Sequence, residues 1–319
     1  MERWQQFGAF FGRHMAVFVP LCVVVGILFP DVLGLAKPSV PLLFALMTVQ
    51  GSLSNTVRGL FDLLKHPRPL FVILLITVVI MPVFARVAGG VFFGHNIAVL
   101  CGLVVECSIP IAVASIMWNT TYGGNMSLAL ALVLVSTLIS PITIPASAEL
   151  LLGQSVAVDV LGMMRDMAVQ IAVPALIGVG INEFTHGWGQ RAAAPVTAPA
   201  SKLLLLSIIL INSTTIAPFI RSFKLEYLGV AAFVFVLVVL GFVSGVLISR
   251  AFGFEMADTL TATFGCGLRN TSSGVVIASQ FFPAEAMVPV IMVTMFQQTF
   301  AAIVGKLIVE HLGKKTNRP

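Results

Sequence analysis

Two charged residues, Glu106 and Arg269, lie within stretches of sequence that are otherwise apolar or weakly polar. The first stretch reads CGLVVECSIPIAVASIMWN and the second reads ATFGCGLRNTSSGVVIASQ. An arginine cannot escape an apolar environment by losing its proton, so it needs a bound anion, a set of carbonyl oxygens, or both. The pattern therefore predicts a site for a negatively charged ligand in which Arg269 supplies a fixed positive charge.

Residues that form hydrogen bonds and residues that interrupt helices accompany both charges. Pro110 removes a backbone donor, and glycines such as Gly267 loosen the second stretch. A helix interrupted inside a membrane is tolerated only where protein, water or ligand satisfies its free backbone groups. The alternative is that both interruptions are ordinary kinks. The predicted substrate-binding residues are Glu106, Ser108, Pro110, Ser115, Asn119, Gly267, Arg269, Asn270, Thr271 and Ser272.

The relation between the two charges has two interpretations. In one, Glu106 and Arg269 approach each other where the two interrupted segments cross. In the other, each charge faces its own water-filled cavity. Glu106 is also the residue that could carry a proton, because burial favours the neutral form of a carboxyl group. The sequence leaves open whether the coupling ion is a proton, sodium or neither.

The composition predicts that these residues lie in membrane-spanning helices. Of 319 residues, 58% are hydrophobic and only 10% are charged, whereas soluble domains carry about a quarter charged residues. A soluble surface could not be covered with so few polar side chains. Apolar runs long enough to cross a bilayer predict an all-α polytopic membrane protein of about ten helices, over residues 15–33, 40–56, 70–87, 96–117, 125–151, 158–184, 203–220, 227–252, 258–280 and 283–312.

The distribution of basic residues predicts the orientation of the chain. Eleven lie on one side of the predicted spans and only four, Lys37, Arg86, Arg221 and Lys224, on the other. Because the basic side faces the cytoplasm, we expect both termini there. Ten spans divide into two five-helix halves of opposite topology, 1–151 and 152–319, within one transporter unit. The interrupted segments are the fourth and ninth spans, and such a matched pair indicates a transport site.

Several other functions lack the residues they would need. Hydrolase, metalloprotease and nucleotide-binding motifs are absent, so we do not expect an enzyme. The four cysteines lie in apolar stretches without metal-ligand spacing, and we expect no metal and no cofactor. The net charge of +5 comes from bases spread over short loops, which argues against a nucleic-acid partner. The expected partners are the lipid bilayer and a small organic anion.

A series of short motifs occurs along the chain in a fixed order: Lys65-His66-Pro67, Ile80-Met81-Pro82, Pro110, Ser115, Gly124-Asn125, residues 136–141 with Pro145, and Gly267 with Asn270. Through these motifs the sequence resembles the bile acid:sodium symporter superfamily over almost its whole length. The resemblance implies a panel domain (spans one, two, six and seven) and a core domain (spans three to five and eight to ten), with the fourth and ninth helices crossing in the core.

The sequence departs from the family pattern where relatives bind sodium. Relatives carry a Glu-x-Gly-x-Gln-Asn run in the ninth helix, whose acid and glutamine coordinate sodium. This chain has Gly265 and Arg269 at those two places. The resemblance implies four further sodium-ligand positions, Thr77, Ile116, Ala129 and Val133. At each of them this chain carries a residue type other than the ligand found in relatives. The substitutions predict that Arg269 replaces sodium as the positive charge of the site.

Together these observations predict a secondary or facilitative transporter of a bile-acid-like or small carboxylate anion that works by alternating access. We expect it in the cytoplasmic (inner) membrane of a bacterium. Two alternatives stay open: a conventional sodium-coupled symporter of organic anions, and a membrane sensor or scaffold that keeps the fold without transport. Uptake that depends on sodium would favour the first, and binding without flux would favour the second.

Overall fold

The fold was obtained as a computed structural model, which describes residues 2–54, 67–153, 159–221 and 225–311. These residues are almost entirely helical, and no strand is present among them apart from one isolated bridge. The predicted all-α class is confirmed. Three residues named in the sequence analysis, Lys65, His66 and Lys224, lie outside the described ranges.

The described residues up to position 153 form nine α-helices. They are α1 (Glu2–Arg13), α2 (Met15–Leu28), α3 (Pro30–Leu33), α4 (Val40–Ser52), α5 (Arg68–Leu75), α6 (Met81–Phe93), α7 (Ile97–Ser108), α8 (Ala114–Tyr122) and α9 (Met126–Leu152). A 3-10 helix, Gly34–Ser39, joins α3 to α4, and a π-helical turn, Ile76–Ile80, makes α5 and α6 one continuous rod.

The second part repeats the alternation of long and divided helices. It contains α10 (Val160–Met167), α11 (Val173–Phe184), α12 (Ala194–Arg221), α13 (Glu226–Ala251), α14 (Met256–Gly267), α15 (Thr271–Phe281) and α16 (Met287–His311). A π-helical turn, Ala168–Ala172, joins α10 to α11, a second, Gly189–Ala193, precedes α12, and a 3-10 turn, Ala284–Ala286, precedes α16.

Seven helical stretches in the described residues are long and apolar enough to cross a membrane. They are Pro30–Ser52, Arg68–Phe93, Met126–Leu152, Val160–Phe184, Gly189–Thr215, Glu226–Ala251 and Ala284–Glu310. The other three predicted runs, 15–33, 96–117 and 258–280, each consist of two shorter helices. The chain is a polytopic membrane protein, and ten spans stay the predicted number.

Proline explains two of the π-helical turns. Pro82 and Pro174 each stand at the second position of the helix that follows such a turn. A proline has no N–H to donate and its ring displaces the carbonyl group one turn earlier, and one widened turn accommodates both effects without ending the helix. The third and sixth predicted spans therefore run on as rods despite their prolines.

The long helices pack as two groups, as the resemblance implies. Helix α12 packs against α2 and α4, and α4 packs against α11; these four helices form the panel. In the core, α13 packs along α14, α6 along α7, and α16 against both α13 and α15. One buried apolar cluster, with Leu132, Phe242 and Phe264, lies within the core, and a second, with Phe44 and Ile208, joins core to panel.

Candidate functional site

The fourth predicted span breaks where its sequence cannot continue a helix. Helix α7 ends at Ser108, and Ile109 is extended, with φ −67° and ψ 158°. Pro110 follows and supplies no N–H, and α8 begins only at Ala114. The ninth predicted span breaks in the same way, because α14 ends at Gly267 and α15 starts at Thr271. These are true interruptions, so the alternative of ordinary kinks is wrong.

The two breaks cross and satisfy each other's backbone. Ile111 and Arg269 form an antiparallel bridge. On either side of it, Ala112 N donates to Leu268 O at 3.0 Å and Asn270 N donates to Pro110 O at 2.9 Å. Lipid offers no partner to an open backbone group, so each interruption is stable only because the other is present. The predicted crossing of the two segments is confirmed.

Two side chains complete the hydrogen bonding of the crossing. Ile111 N donates to Ser136 Oγ at 3.2 Å, and Arg269 N donates to Gln297 Oε1 at 3.2 Å. Ser136 belongs to α9 and Gln297 to α16, the long helices that follow the two broken spans. From the sequence, Ser136 was identified only as part of a family motif. Gln297 was not predicted, although an amide inside an apolar span is a signal for it.

Arg269 is buried at the crossing, with 6% of its surface exposed. Its Nη1 donates to Ile109 O at 3.3 Å, so one carbonyl oxygen freed by the break holds one edge of the guanidinium. Its Nη2 is buried without a hydrogen-bond partner among the described residues. A buried guanidinium with a free donor is a strong binding element for an anion, because a charge-assisted hydrogen bond would satisfy both the charge and the donor.

Glu106 is buried one turn before the first break, with 2% of its surface exposed. Neither of its carboxylate oxygens has a hydrogen-bond partner in the described chain. A Cβ placed on Gly274 would lie 3.5 Å from Glu106 Oε2, so the carboxyl group lies against the first turns of α15. Arg269 acts on it electrostatically, yet the two residues share neither a hydrogen bond nor an ion pair.

The other predicted site residues divide into two groups. Pro110, Asn270, Thr271 and Ser272 lie at the crossing: Pro110 O accepts the bond from the other break, Asn270 caps α15 through Ser273 N at 3.3 Å, and the buried Thr271 and Ser272 form its first turn. Ser108, by contrast, turns its hydroxyl back onto Val104 O at 2.7 Å.

Three predicted residues serve packing or lie away from the crossing. A Cβ on Gly267 would overlap the Phe242 ring, so Gly267 allows close packing of α14 on α13. The Ser115 carbonyl accepts from Asn119 Nδ2 at 2.8 Å. Asn119 Oδ1 in turn accepts from Thr261 Oγ1 at 2.7 Å, on the first half of the ninth span.

The two ends of the core carry matched polar contacts. At one end Asn125 Nδ2 donates to Asp258 Oδ1 at 2.8 Å, which joins the start of the fifth predicted span to that of the ninth. At the other end Asn96 Nδ2 donates to Glu285 Oε1 at 3.3 Å, which joins the starts of the fourth and tenth. Tyr227 of α13 also donates to Glu285 Oε1, at 2.7 Å.

The positions where the resemblance implies sodium ligands have apolar surroundings. A Cβ on Gly265 would lie 3.4 Å from Ile73 Cγ2 and from Leu132 Cδ1, and 3.8 Å from Ile111 Cδ1. Ala129 and Val133 are buried aliphatic residues, and Ile116 packs against the same cluster. Thr77 donates its hydroxyl to Leu74 O at 3.2 Å within its own helix.

One polar residue on the panel was not predicted as part of the site. Asn212 is buried in α12, which packs against α15, and its Nδ2 has no hydrogen-bond partner among the described residues. An unpaired amide donor in the middle of an apolar span is a candidate ligand contact from the panel. The polar run Asn212-Ser213-Thr214 is visible in the sequence but was not predicted as part of the site.

Comparison with known proteins identifies the family. The model of the Sodium Bile acid symporter family matches residues 40–225. The uncharacterized protein YbaS of Bacillus subtilis is 34% identical over 92% of this chain and 96% of its own length. The probable sodium/metabolite cotransporter BASS1 of Arabidopsis thaliana chloroplasts is 24% identical over 88% of this chain and 69% of its own. The chain therefore belongs to the sodium bile acid symporter family, and it is a membrane transporter rather than an enzyme.

Proposed function

We propose that the protein is a secondary or facilitative transporter of organic anions, bile-acid-like compounds or small carboxylates, and that sodium does not drive it. The observation that carries the proposal is the free Nη2 of the buried Arg269 at the crossing of the two broken helices. A carboxylate placed there would neutralise a charge that otherwise costs at least about 2.5 kcal/mol inside a bilayer.

The surroundings of Arg269 suit an anion in a second way. The N-terminus of α15 follows Arg269 within two residues, and a helix N-terminus carries a partial positive charge. Thr271 and Ser272 lie in that first turn, and neither hydroxyl group forms a hydrogen bond with the described residues. These groups would orient the carboxylate, and Asn212 would approach from the panel.

Conventional sodium symport is the second candidate, and the names of relatives favour it. BASS1 is described as a probable sodium/metabolite cotransporter, and YocS of Bacillus subtilis, 19% identical over 100% of this chain and 96% of its own, as a sodium-dependent transporter. Sodium coordination needs several oxygen ligands. At the positions where the resemblance implies sodium ligands, this chain has three aliphatic side chains, a glycine, and a threonine whose hydroxyl bonds to its own helix. The remaining position holds a guanidinium, which would repel a cation.

The proposed mechanism requires the core and the panel to move relative to each other. We propose that the crossing, with its bound anion, moves with the core against the panel and so opens to each side in turn. The proposed location is the cytoplasmic membrane of a bacterium, with both termini in the cytoplasm. A scaffold would not need a free buried donor at the crossing, and a sensor would bind the anion without transporting it.

A ligand screen combined with transport tests the proposal. The purified protein is heated with pyruvate, 2-ketoisovalerate, benzoate, cholate or taurocholate, in sodium or in choline buffer, and unfolding is followed. We expect at least one anion to raise the unfolding temperature equally in both buffers, and Arg269→Gln to abolish the shift. Radiolabelled uptake of that anion into proteoliposomes should not change when choline replaces sodium. Uptake that rises steeply with external sodium would establish the second candidate instead.

A further inference from the structure

We propose that Glu106 takes up a proton when an anion occupies Arg269, so that the protein carries one proton with each monovalent anion. This inference rests on the proposed function and names its coupling partner. It starts from two unsatisfied groups of opposite charge that lie at one crossing without touching: both oxygens of Glu106, and Nη2 of Arg269.

The environment of Glu106 suits a neutral carboxyl group. The nearest turn of α15 offers few donors, because Gly274 N donates to Asn270 O at 3.1 Å and Ser273 N donates to Asn270 Oδ1 at 3.3 Å. An ionised carboxylate that is buried without a donor costs several kcal/mol. A protonated carboxyl instead brings a donor of its own, and the Ser273 hydroxyl, buried and unpaired in the same turn, is a candidate acceptor.

The charge that acts on Glu106 is Arg269. Among the other ionisable groups on the elements packed against α7, Arg86 Nε of α6 donates to Leu151 O and Glu285 accepts from Tyr227. Glu149 of α9 is exposed, and Lys306 and Glu310 form an exposed pair near the end of α16. Cys107 and Cys266 are buried thiols under the influence of the same guanidinium. An ionised Glu106 is therefore stabilised by one positive charge, and that charge is the proposed anion site.

The two binding events are consequently linked. Without an anion, the negative Glu106 and the positive Arg269 give the crossing no net charge. An anion on Arg269 removes the stabilisation of the carboxylate and would leave a net negative charge in the membrane. One proton from water, bonded to a carboxylate oxygen of Glu106, restores neutrality. Loaded and empty cores are then both neutral, and both can move between the two sides at low electrostatic cost.

The coupling is measured directly as proton uptake on binding. An anion that binds in the ligand screen is added to the protein in weakly buffered solution, and the pH is recorded. We expect one proton taken up per anion bound by the wild type and none by Glu106→Gln. The matched control is Glu310→Gln, an acid half exposed at the end of α16, which should behave as the wild type.

Transport measurements distinguish a failure of the proton coupling from a failure of the anion site. An inward proton gradient should accelerate net uptake by the wild type. Glu106→Gln should lose net uptake but keep the exchange of internal for external anion, since its loaded core is neutral and its empty core carries a charge. Anion exchange with no proton taken up by the wild type would overturn the coupling alone. If none of the anions in the ligand screen binds, the proposed function is overturned, and the proton coupling with it.

Discussion

Arg269 acts through a planar group that donates in two directions at once. Nη1 is held by Ile109 O at 3.3 Å, which leaves Nη2 for the ligand. A lysine carries the same charge as a point, without the fork that serves the carbonyl group and a carboxylate together. Charge and geometry are thus separable contributions to the site.

We therefore expect Arg269→Lys to bind the anion found in the screen more weakly, by roughly tenfold or more, since a hydrogen bond to a charged group contributes about 1.5–3 kcal/mol. Titration calorimetry measures the effect. Arg250→Lys, an exposed change at the end of α13, should have no effect. Equal affinity of Arg269→Lys and the wild type would show that charge alone is recognised.

At the scale of single residues, the sequence showed which polar residues lie in apolar runs, but it did not show which hydrogen-bond partners they have. A charge inside an apolar run is visible in the sequence, so Glu106 and Arg269 could be found. Whether they touch depends on how α7 and α14 are rotated, which no local pattern specifies. Ser108 and Asn119 were assigned to the substrate because hydroxyl and amide groups look available in a sequence. In the fold they bond to Val104 O and Thr261.

The two broken helices depend on support from the long helices beside them. Ser136 and Gln297 each lie ten residues after the first residue of their helix, Met126 and Met287, and each accepts from the break of the preceding span. This correspondence supports two halves of related structure, divided near residue 151, a division that stays a prediction. Each acceptor satisfies a backbone N–H that is buried in the core.

Removal of either acceptor should destabilise the crossing. An unsatisfied buried donor costs about 1–3 kcal/mol, so we expect Ser136→Ala and Gln297→Met to lower the free energy of unfolding by roughly that amount. Denaturation in detergent followed by tryptophan fluorescence provides the measurement. Ser140→Ala is the control, because within the described part of the chain that buried hydroxyl bonds only to Thr137 O of its own helix. A loss as large in the control would exclude a specific role for the crossing.

Most elements were predictable because an apolar run has to be long enough to cross the bilayer. The run predicted at 125–151 is α9, Met126–Leu152, and the run predicted at 227–252 is α13, Glu226–Ala251. The π-helical turns before Pro82 and Pro174 were not predicted, since a proline in a sequence is consistent with a kink, a break or a widened turn. The pairing of the two breaks was expected from their matched places in the two halves and from the family resemblance, not from local pattern.

At the scale of the whole molecule, the polar contacts at the two ends of the core bear on topology. Asn96 meets Glu285, and Asn125 meets Asp258. In a ten-span chain the fourth and tenth spans start on one side, and the fifth and ninth on the other. Both contacts therefore join residues that such a topology places on the same side of the membrane. They support the predicted number of spans, whereas which side faces the cytoplasm is predicted from the basic residues alone.

Movement of the core against the panel can be tested where the two groups meet. Gln170, in the π-helical turn of the panel, and Gln280, in α15 of the core, hydrogen-bond through their amides at 3.2 Å, and both are accessible. If the core must move, a short cleavable thiol crosslinker between Gln170→Cys and Gln280→Cys should stop uptake of the anion, and reduction should restore it. The four native cysteines are buried or half-buried, which limits unwanted labelling.

The matched control for this experiment lies within one helix. Lys306 and Glu310, an i,i+4 pair on α16 with Nζ and Oε1 at 3.8 Å, are exposed. Cysteines at these two positions should accept the same crosslinker with no change in uptake, because the connection does not join two moving parts. Single cysteines at 170 and 280 control for modification itself. Full uptake by a completely crosslinked Gln170→Cys/Gln280→Cys protein would mean that core and panel stay fixed at this contact, and the anion would then have to cross by a local gate at the crossing.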